Sequence, residues 1–361
     1  MNHWKAIAEL SAARGWDAVL LSSPANRFYA AGFPSPQGDA LAIVTAKGEA
    51  FYFTDSRYSE AAEACIEGAS LAQVRRGRGY LTLCREVIEQ CALKKMGFEE
   101  DCTTVAEWEQ LRKLPVEWQF AGQALAELRI AKEAEALEAI RGAQAIAEKA
   151  FAEVLEEIKV GRTEQEIAAF LQYRMLHYGA SDMSFSPIVA SGANGSLPHA
   201  VPTGKPIEYG EFVTMDFGCI YRGYCSDMTR TVAVGTVTEE MERVYQTVLQ
   251  AQEAGIAAAR AGVTAQSVDA AARAMIAQAG YGDCFGHSFG HGIGVLVHEQ
   301  PNVSPGNETL LTAGAVISAE PGIYLPKRFG VRIEDMLYLT RQGCENLTHA
   351  PKKLLHLCVF A

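Results

Sequence analysis

Two acidic residues face each other across the first of two predicted β-hairpins. In residues 212–232, a chain reversal around Tyr221 and Arg222 places Asp216 directly opposite Asp227. Residues opposed in an antiparallel ladder have Cβ atoms about 4.5–5.5 Å apart, and like charges in such pairs are destabilising. The pair therefore predicts a cation between the two strands.

A second predicted hairpin, in residues 316–338, repeats this arrangement. A reversal centred on Lys327 places Glu320 opposite Glu334 within apolar strands. A single acidic residue in a strand usually faces water, and the mirrored placement of two pairs is what argues against that interpretation here. Because a nearby positive charge favours the ionised form of a carboxylate, the pattern favours a metal site.

Histidines supply neutral donors near the acidic segments. Residues 285–299 carry His287, His291 and His298 in a glycine-rich stretch, and His199 follows Pro198 in a separate loop. Glycines let the backbone adopt positive φ and approach other groups closely, which suits a loop that presents an imidazole to a crowded site. A lone histidine is more often structural, but half of the eight histidines in the chain lie in these segments.

Four carboxylates with one or two imidazoles form an oxygen-rich ligand set. Such a set suits Mn²⁺, Fe²⁺ or Co²⁺ better than a structural zinc site, which prefers thiolates and histidines. Four carboxylates are too many for one ion, so two divalent cations are expected. Paired cations hold a bridging water and lower its pKa towards about 7. These residues alone predict a dinuclear metal hydrolase and leave its substrate open.

Strand alternation separates the two neighbours of Glu334. Arg332 shares a face with Glu334 and is expected to reach the same site, whereas Asp335 points to the opposite face. We therefore expect Arg332 to be functional and Asp335 to be structural.

The bulk properties restrict the class of protein. The 361 residues favour two domains, and a net charge of −11 argues against a nucleic-acid partner. Nine dispersed cysteines without a CxxC pair indicate reduced thiols. The first residues lack the apolar core of a signal peptide, and no apolar run reaches transmembrane length. A cytoplasmic protein without a membrane partner is expected.

The pattern of predicted secondary structure changes near residue 125. The first third alternates short helical and strand patterns, which predicts an α/β domain over residues 1–125. The remainder, residues 126–361, is predicted to be α+β, with antiparallel strands that carry the carboxylates and helices on the other face. Four helices are predicted in this part. The first covers residues 127–159, the second begins at a capping box formed by Thr163 and Glu166, and the other two cover residues 239–261 and 264–279. A helix-helix-strand-strand unit thus occurs twice.

Seven short motifs in the second part resemble the creatinase/prolidase/aminopeptidase P family of metallopeptidases. They are SLPH at 196–199, MDFG at 215–218, SDMTRT at 226–231, GHGIG at 290–294, VHE at 297–299, EPGIY at 320–324 and VRIED at 331–335. The NRFY and TDSRY motifs at 26–29 and 54–58 resemble the accessory N-terminal domain of that family. The resemblance implies a pita-bread catalytic domain, in which an antiparallel sheet with flanking helices has an internal pseudo-two-fold. A smaller creatinase-like domain would precede it.

The resemblance also implies the roles of the metal ligands. Asp216 would bind one metal, and His291 and Glu320 would bind the other. Asp227 and Glu334 would bridge both ions. The family implies two divalent ions, with Mn²⁺ the first choice and cobalt, iron or zinc as alternatives.

Five side chains acquire catalytic or substrate-binding roles from the same resemblance. Glu320 would take a proton from the bridging water, and His199 and His298 would hydrogen-bond the scissile carbonyl and the developing diolate. His287 and Arg332 would contact the substrate.

The expected function is hydrolysis of the Xaa-Pro imide bond at peptide N-termini, as in an Xaa-Pro aminopeptidase. An Xaa-Pro dipeptidase, or prolidase, is the alternative, because the sequence does not show what blocks the pocket beyond the proline. A metal-free creatinase-like C–N hydrolase and a non-catalytic peptide-binding module are remote alternatives, since none of the five ligand positions is substituted. The partners expected are small peptides with proline second and, by resemblance, a second copy of the chain in a homodimer.

Overall fold

The computed structural model describes residues 2–358 and divides between Arg129 and Ile130 into two compact units. Residue 1 and residues 359–361, at the ends of the two predicted domains, lie outside the described residues. No helix within 2–358 is long and apolar enough to cross a membrane.

The first unit is an α/β domain, as predicted. Its helices are α1 (Trp4–Ala13), α2 (Pro24–Ala31), α3 (Ser59–Cys65), α4 (Tyr80–Gln90), α5 (Val105–Leu111) and α6 (Gly122–Leu128). Its strands are β1 (Ala18–Leu21), β2 (Ala40–Thr45), β3 (Ala50–Thr54), β4 (Ser70–Gln73), β5 (Lys95–Phe98) and β6 (Glu117–Phe120). They form one mixed sheet in the order β4-β3-β2-β1-β5-β6, in which β1, β2 and β3 are antiparallel neighbours and the other pairs are parallel.

The second unit has four long helices and short strands. The helices are α7 (Ala134–Glu157), α8 (Glu164–His177), α9 (Glu239–Ala258) and α10 (Ala265–Gln278), with 3₁₀ turns at Gly192–Ser196 and Gly282–Cys284. The strands of its first half are β7 (Asp182–Met183), β8 (Ile188–Ser191), β9 (Phe212–Phe217), β10 (Cys219–Tyr221), β11 (Tyr224–Cys225) and β12 (Met228–Val234). Those that follow are β13 (Gly290–Gly292), β14 (Glu299–Val303), β15 (Val316–Ala319), β16 (Gly322–Leu325), β17 (Phe329–Arg332), β18 (Asp335–Leu339), β19 (Cys344–Asn346) and β20 (His356–Leu357).

The predicted duplication is visible in the sheets and cores of this unit. A sheet of order β20-β12-β9-β8 carries the first hairpin, and a sheet of order β14-β13-β15-β18-β19 carries the second. Phe151 of α7 and Leu171 of α8 pack with Val213 of β9 in one apolar core. Val244 of α9 and Val268 of α10 belong to a second apolar core that includes strands β15 and β18. Each helix pair therefore covers one half of the strands that hold the carboxylates.

The predicted helix over residues 127–159 is wrong at its beginning. Helix α6 ends at Leu128, and α7 does not start until Ala134. Between them, Ala131 forms an antiparallel bridge with Ala315, and the backbone N–H of Lys132 donates to the carbonyl of Gly314 at 2.8 Å. An extended backbone is needed for these contacts, so pairing with a distant segment overrides the local helical preference.

The capping box predicted before α8 is confirmed. The hydroxyl of Thr163 accepts from the backbone N–H of Glu166, and the Glu166 carboxylate accepts from the backbone N–H of Thr163 at 2.7 Å. These two bonds satisfy donors that the first turn of a helix leaves unpaired, and they fix where α8 begins.

Candidate metal centre

The first hairpin brings Asp216 and Asp227 to one side of the sheet, but in a different register from the predicted one. Asp216 pairs with Thr229 instead of Asp227, and the reversal lies at Arg222 and Gly223. Both turn residues have positive φ, 51° and 82°, as a two-residue type I′ hairpin turn requires. Asp227 is therefore displaced by two residues from the position opposite Asp216. A shift of two keeps the side chains on the same face.

The second hairpin confirms the predicted register. Gly322 pairs with Arg332 on one side of the acidic pair, and Ala319 pairs with Asp335 on the other. Continuing this register places Glu320 opposite Glu334. The turn is centred on Lys327, whose φ of 62° is left-handed.

Thr229 joins the two hairpins. It pairs with Asp216 in the first hairpin and forms an isolated antiparallel bridge with Glu334 of the second. Its hydroxyl donates to Glu334 Oε2 at 2.7 Å, and its carbonyl accepts from the Glu334 backbone N–H at 3.1 Å. The two acidic faces thus meet at one place.

Three of the predicted ligands form a compact cluster at this junction. One ligand atom from each of Asp227, His291 and Glu334 lies within 4.8 Å of the others. His291 Nε2 also lies 3.2 Å from Glu320 Oε1 and 3.6 Å from Asp227 Oδ2. His291 is supplied by β13, which pairs with β15 just before Glu320.

The cluster contains more buried negative charge than its protein neighbours neutralise. Burial, and then the charge of Asp216, raises the pKa of Asp227 well above its ordinary value. Burial, and then the charges of Asp227 and Glu320, does the same to the pKa of Glu334. Within residues 2–358, Glu334 Oε1 and Asp216 Oδ1 are buried without a hydrogen-bond partner. Buried acceptors of this kind are rare and costly, and a divalent cation would satisfy both.

His291 and Glu320 form an ion pair. Burial would lower the pKa of His291, but its hydrogen bond to Glu320 and the charges of Glu320 and Asp227 outweigh burial and raise that pKa to about 9. Burial would raise the pKa of Glu320, but the hydrogen bond and charge of His291 outweigh it and lower that pKa to about 2. Glu320 is thus held ionised.

Asp216 is held by Arg332. Arg332 donates to Asp216 Oδ2 at 2.6 Å, and its Nε donates to the Thr229 hydroxyl at 3.1 Å. Burial raises the pKa of Asp216 in spite of the Arg332 charge. Arg332 therefore reaches the site, as strand alternation predicted. Asp335 lies on the opposite face, where it pairs with the buried Arg230 at 2.8 Å and is structural, as predicted.

His298 lies beside His291, and His199 lies on a separate loop. The ring centroid of His298 lies 4.3 Å from that of His291, and His298 is exposed. Burial and then the charge of His291, with a smaller effect of His199, lower the pKa of His298. His199 is exposed and lies on the loop after β8. Both side chains are exposed to solvent.

His287 already has a partner on each ring nitrogen. Its Nδ1 lies 2.9 Å from the carbonyl of Ser288, which can only accept, so Nδ1 carries the proton. Its Nε2 lies 3.0 Å from the Tyr324 hydroxyl and accepts from it. The same hydroxyl accepts from Arg332 at 2.7 Å. Burial lowers the pKa of His287, in keeping with a neutral ring.

Three residues of the site had no predicted role. Thr229 and Tyr324 are described above, and Ser318 accepts from the His291 backbone N–H at 3.0 Å and donates to Glu320 at 3.1 Å. Strand alternation could have identified all three residues. Each lies an even number of residues from a predicted metal ligand in the same extended segment, so its side chain is on the same face of the sheet as that ligand.

The donor set fits divalent metal. Carboxylate oxygens with one imidazole suit hard or borderline divalent ions. The two unpartnered oxygens, on Asp216 and Glu334, lie on different hairpins and belong to the residues that Thr229 pairs with. The arrangement can therefore hold cations between the two hairpins.

Comparisons with known proteins give consistent matches along the chain. Residues 138–341 match metallopeptidase family M24, and residues 4–131 match the creatinase/prolidase N-terminal domain. An Xaa-Pro dipeptidase of Pyrococcus horikoshii is 36% identical over 354 residues, covering 97% of this chain and 98% of that protein. The solved structure of an Xaa-Pro dipeptidase from Bacillus anthracis is similar with a TM-score of 0.93 and 36% identity, covering 98% and 100% of the two chains. An X-Pro aminopeptidase from Thermotoga maritima has a TM-score of 0.92 and 34% identity, covering 98% and 99%.

Proposed function

Since this chain belongs to metallopeptidase family M24, we propose that it hydrolyses the Xaa-Pro imide bond of small peptides and acts first of all on dipeptides. The observation that carries the proposal is the convergence of the two acidic hairpins on His291. Asp227, His291 and Glu334 offer ligand atoms within 4.8 Å of one another, and Glu320 lies 3.2 Å from His291.

Two divalent ions, with Mn²⁺ the first choice and cobalt, iron or zinc as alternatives, are proposed for this site. Asp216 would serve one ion, His291 and Glu320 the other, and Asp227 and Glu334 both. The buried, unpartnered oxygens on Asp216 and Glu334 support this assignment. When bound, the ions would supply Lewis-acid polarisation and acidify a water molecule.

The protein side chains are proposed to handle protons and charge. Glu320 lies 3.2 Å from His291 and would accept a proton from the attacking water. His199 and His298 are exposed, with the His298 ring centroid 4.3 Å from that of His291, and both would donate hydrogen bonds to the scissile carbonyl as negative charge develops on its oxygen. Arg332 orients Asp216 at 2.6 Å and would contact the substrate together with His287.

Proline specificity has a simple physical basis. The imide bond before proline has no N–H, so a peptidase that recognises that donor cannot use it. The site then has to select the pyrrolidine ring by its shape. No step at the metal centre requires the missing N–H, which is consistent with attack on an imide.

The length of the peptide separates the two candidate activities. The sequence alone favoured an aminopeptidase. The names of several relatives favour a dipeptidase instead, including the Pyrococcus horikoshii protein, whereas the Thermotoga maritima structure is of an X-Pro aminopeptidase. The test is to compare hydrolysis of Ala-Pro with that of Ala-Pro-Ala in Mn²⁺. Cleavage of Ala-Pro alone supports the dipeptidase, rapid cleavage of both supports the aminopeptidase, and cleavage of neither contradicts the proposal.

The proposal also covers the location, domain boundaries and oligomeric state of the protein. All nine cysteines are free, which supports a reducing, cytoplasmic location. We propose a catalytic domain over 126–361 preceded by an accessory domain over 1–125. We also propose a homodimer that acts on small peptides and binds neither nucleic acid nor membrane.

A further inference from the structure

The loop that carries His199 is held at both ends by one fully buried carboxylate. Oε1 of Glu164 accepts from the backbone N–H and the hydroxyl of Ser191 at 2.7 and 2.9 Å. Oε2 accepts from the backbone N–H and the hydroxyl of Thr203 at 3.0 and 2.6 Å. The side-chain amide of Asn194 donates to both oxygens, each at 3.1 Å. One charge thus joins the beginning of the loop to its end.

These contacts do not serve the helix from which Glu164 comes. Glu164 lies in the first turn of α8, but Thr163 and Glu166 already cap that turn. Among residues 2–358, every donor to the Glu164 carboxylate comes from residues 191–203, outside the helix. A buried carboxylate is costly unless its oxygens are fully hydrogen-bonded. The buried carboxylate of Glu164 therefore anchors the loop and does not cap the helix.

The middle of the loop is tied to the second hairpin. Arg332 donates to the carbonyl of Pro198 at 3.2 Å, and the backbone N–H of Lys327 donates to the Ser196 hydroxyl at 3.2 Å. Pro198 immediately precedes His199, whose imidazole is exposed. With both loop ends fixed by Glu164, these contacts define where the His199 backbone lies relative to the metal cluster.

The other half of the unit uses an equivalent device. Asp269, buried on α10, accepts from the backbone N–H of Phe289 at 3.0 Å and pairs with Arg273 at 2.8 Å. Arg273 in turn donates to the carbonyls of Phe285 and His287. The second helix of each helix pair thus carries a buried carboxylate that ties down a histidine-bearing loop.

We propose that Glu164 is a positioning residue, which fixes residues 192–202 so that His199 points at the reacting carbonyl. The target of His199 rests on the proposed function, whereas the anchoring of the loop does not. Because a misplacement of about 1 Å can cost about 100-fold in rate, the loop need not unfold for activity to fall.

The test compares Glu164→Gln with Glu99→Gln. Gln keeps the size of the side chain but turns amide hydrogens towards groups that are themselves donors. Glu99 is the matched control, because it is also buried and accepts from Ser22, Ser23 and Asn26, but in the first unit. Thr203→Val, which removes one hydroxyl donor, replaces Glu164→Gln if that variant does not fold.

In the metal-free protein, Glu164→Gln should speed hydrogen exchange of residues 192–203 by at least about tenfold, while Glu99→Gln leaves that segment unchanged. With Mn²⁺ and Ala-Pro, Glu164→Gln should lower kcat/KM by about 10- to 100-fold, mostly through kcat, whereas Mn²⁺ affinity measured by calorimetry stays within about twofold. Glu99→Gln should leave kcat unchanged.

A cycle with His199→Ala distinguishes positioning from general damage. If Glu164 acts through His199, adding Glu164→Gln to His199→Ala should cost less than about twofold more. An equal loss in both backgrounds, or unchanged exchange of residues 192–203, overturns the proposal. If the unmodified protein cleaves no Xaa-Pro peptide, the proposed function fails, but the exchange result still decides whether Glu164 anchors the loop.

Discussion

Replacing Glu334 by Gln should stabilise the metal-free protein while it weakens metal binding. Glu334 is 1% exposed, and its Oε1 has no partner among the described residues. Gln can keep the hydrogen bond from Thr229 through its amide oxygen, and its NH₂ group can donate to Asp227. The substitution removes a buried charge and replaces an unpaired acceptor with a paired donor.

The expected size follows from the cost of the unpaired acceptor. Leaving a buried acceptor unsatisfied costs about 1–3 kcal/mol. At about 2–4 °C for each kcal/mol in a domain of this size, Tm at pH 7 in EDTA should rise by about 2–12 °C. Saturating Mn²⁺ reverses the order, because ligand at 100 times Kd stabilises the unmodified protein by about 2.7 kcal/mol and the variant lacks a carboxylate ligand.

The stability difference between Glu334→Gln and the unmodified protein should depend on pH. Burial raises the folded-state pKa of Glu334 above its ordinary value of 4.5, so its contribution to stability is present at low pH and is lost as pH rises above 4.5. The advantage of Glu334→Gln in EDTA should therefore shrink as pH falls towards 4.5. Scanning calorimetry with and without Mn²⁺ measures both effects, with Glu345→Gln as a surface control, since Glu345 is exposed and pairs with Arg141. A variant that is less stable in EDTA, or that gains as much from Mn²⁺, refutes the reasoning.

Three further predictions follow from the contacts of single residues. The pKa of His291 is raised from 6.5 to about 9, so its stabilising contribution in EDTA is complete below pH 6.5 and disappears as pH rises through 9. His291→Gln should flatten that part of the stability profile in chemical denaturation, and an unchanged slope contradicts the ion pair. Asp335→Ala leaves the buried Arg230 without its carboxylate and should cost about 3–5 kcal/mol in urea unfolding, with a cost below about 1 kcal/mol as the contrary outcome. Thr163→Ala removes one half of the α8 capping box and should cost about 1 kcal/mol in the same assay. No loss there would mean that the tertiary contacts of α8 determine where it begins.

The hairpins show how far local rules reach. The reversal at Lys327 and the resulting register of Glu320 and Glu334 follow from strand alternation and a short turn, and both were predictable. The first reversal was misplaced because Arg222 and Gly223, not Tyr221, take the two positive-φ positions. Gly223 could have indicated the correct turn, because two-residue type I′ turns favour glycine at their second position.

Contacts between distant segments were beyond sequence reasoning. The break between α6 and α7 depends on the pairing of Ala131 with Ala315, which lies 184 residues later in the chain. The loop of His199 depends on Glu164, whose position in a helix gives no hint of its five donors. Local propensity describes the chain near a residue, whereas these features are decided by what packs against it.

We propose that two divalent ions, held by the acidic hairpins, are required to cleave the Xaa-Pro bond. The most direct measurement is a titration of metal-stripped protein with Mn²⁺, in which bound metal per chain and the rate of Ala-Pro hydrolysis are followed together. We expect no cleavage in the stripped protein and full activity only when about two ions per chain are bound. Full activity in the stripped protein, or saturation of activity with a single ion, would contradict it.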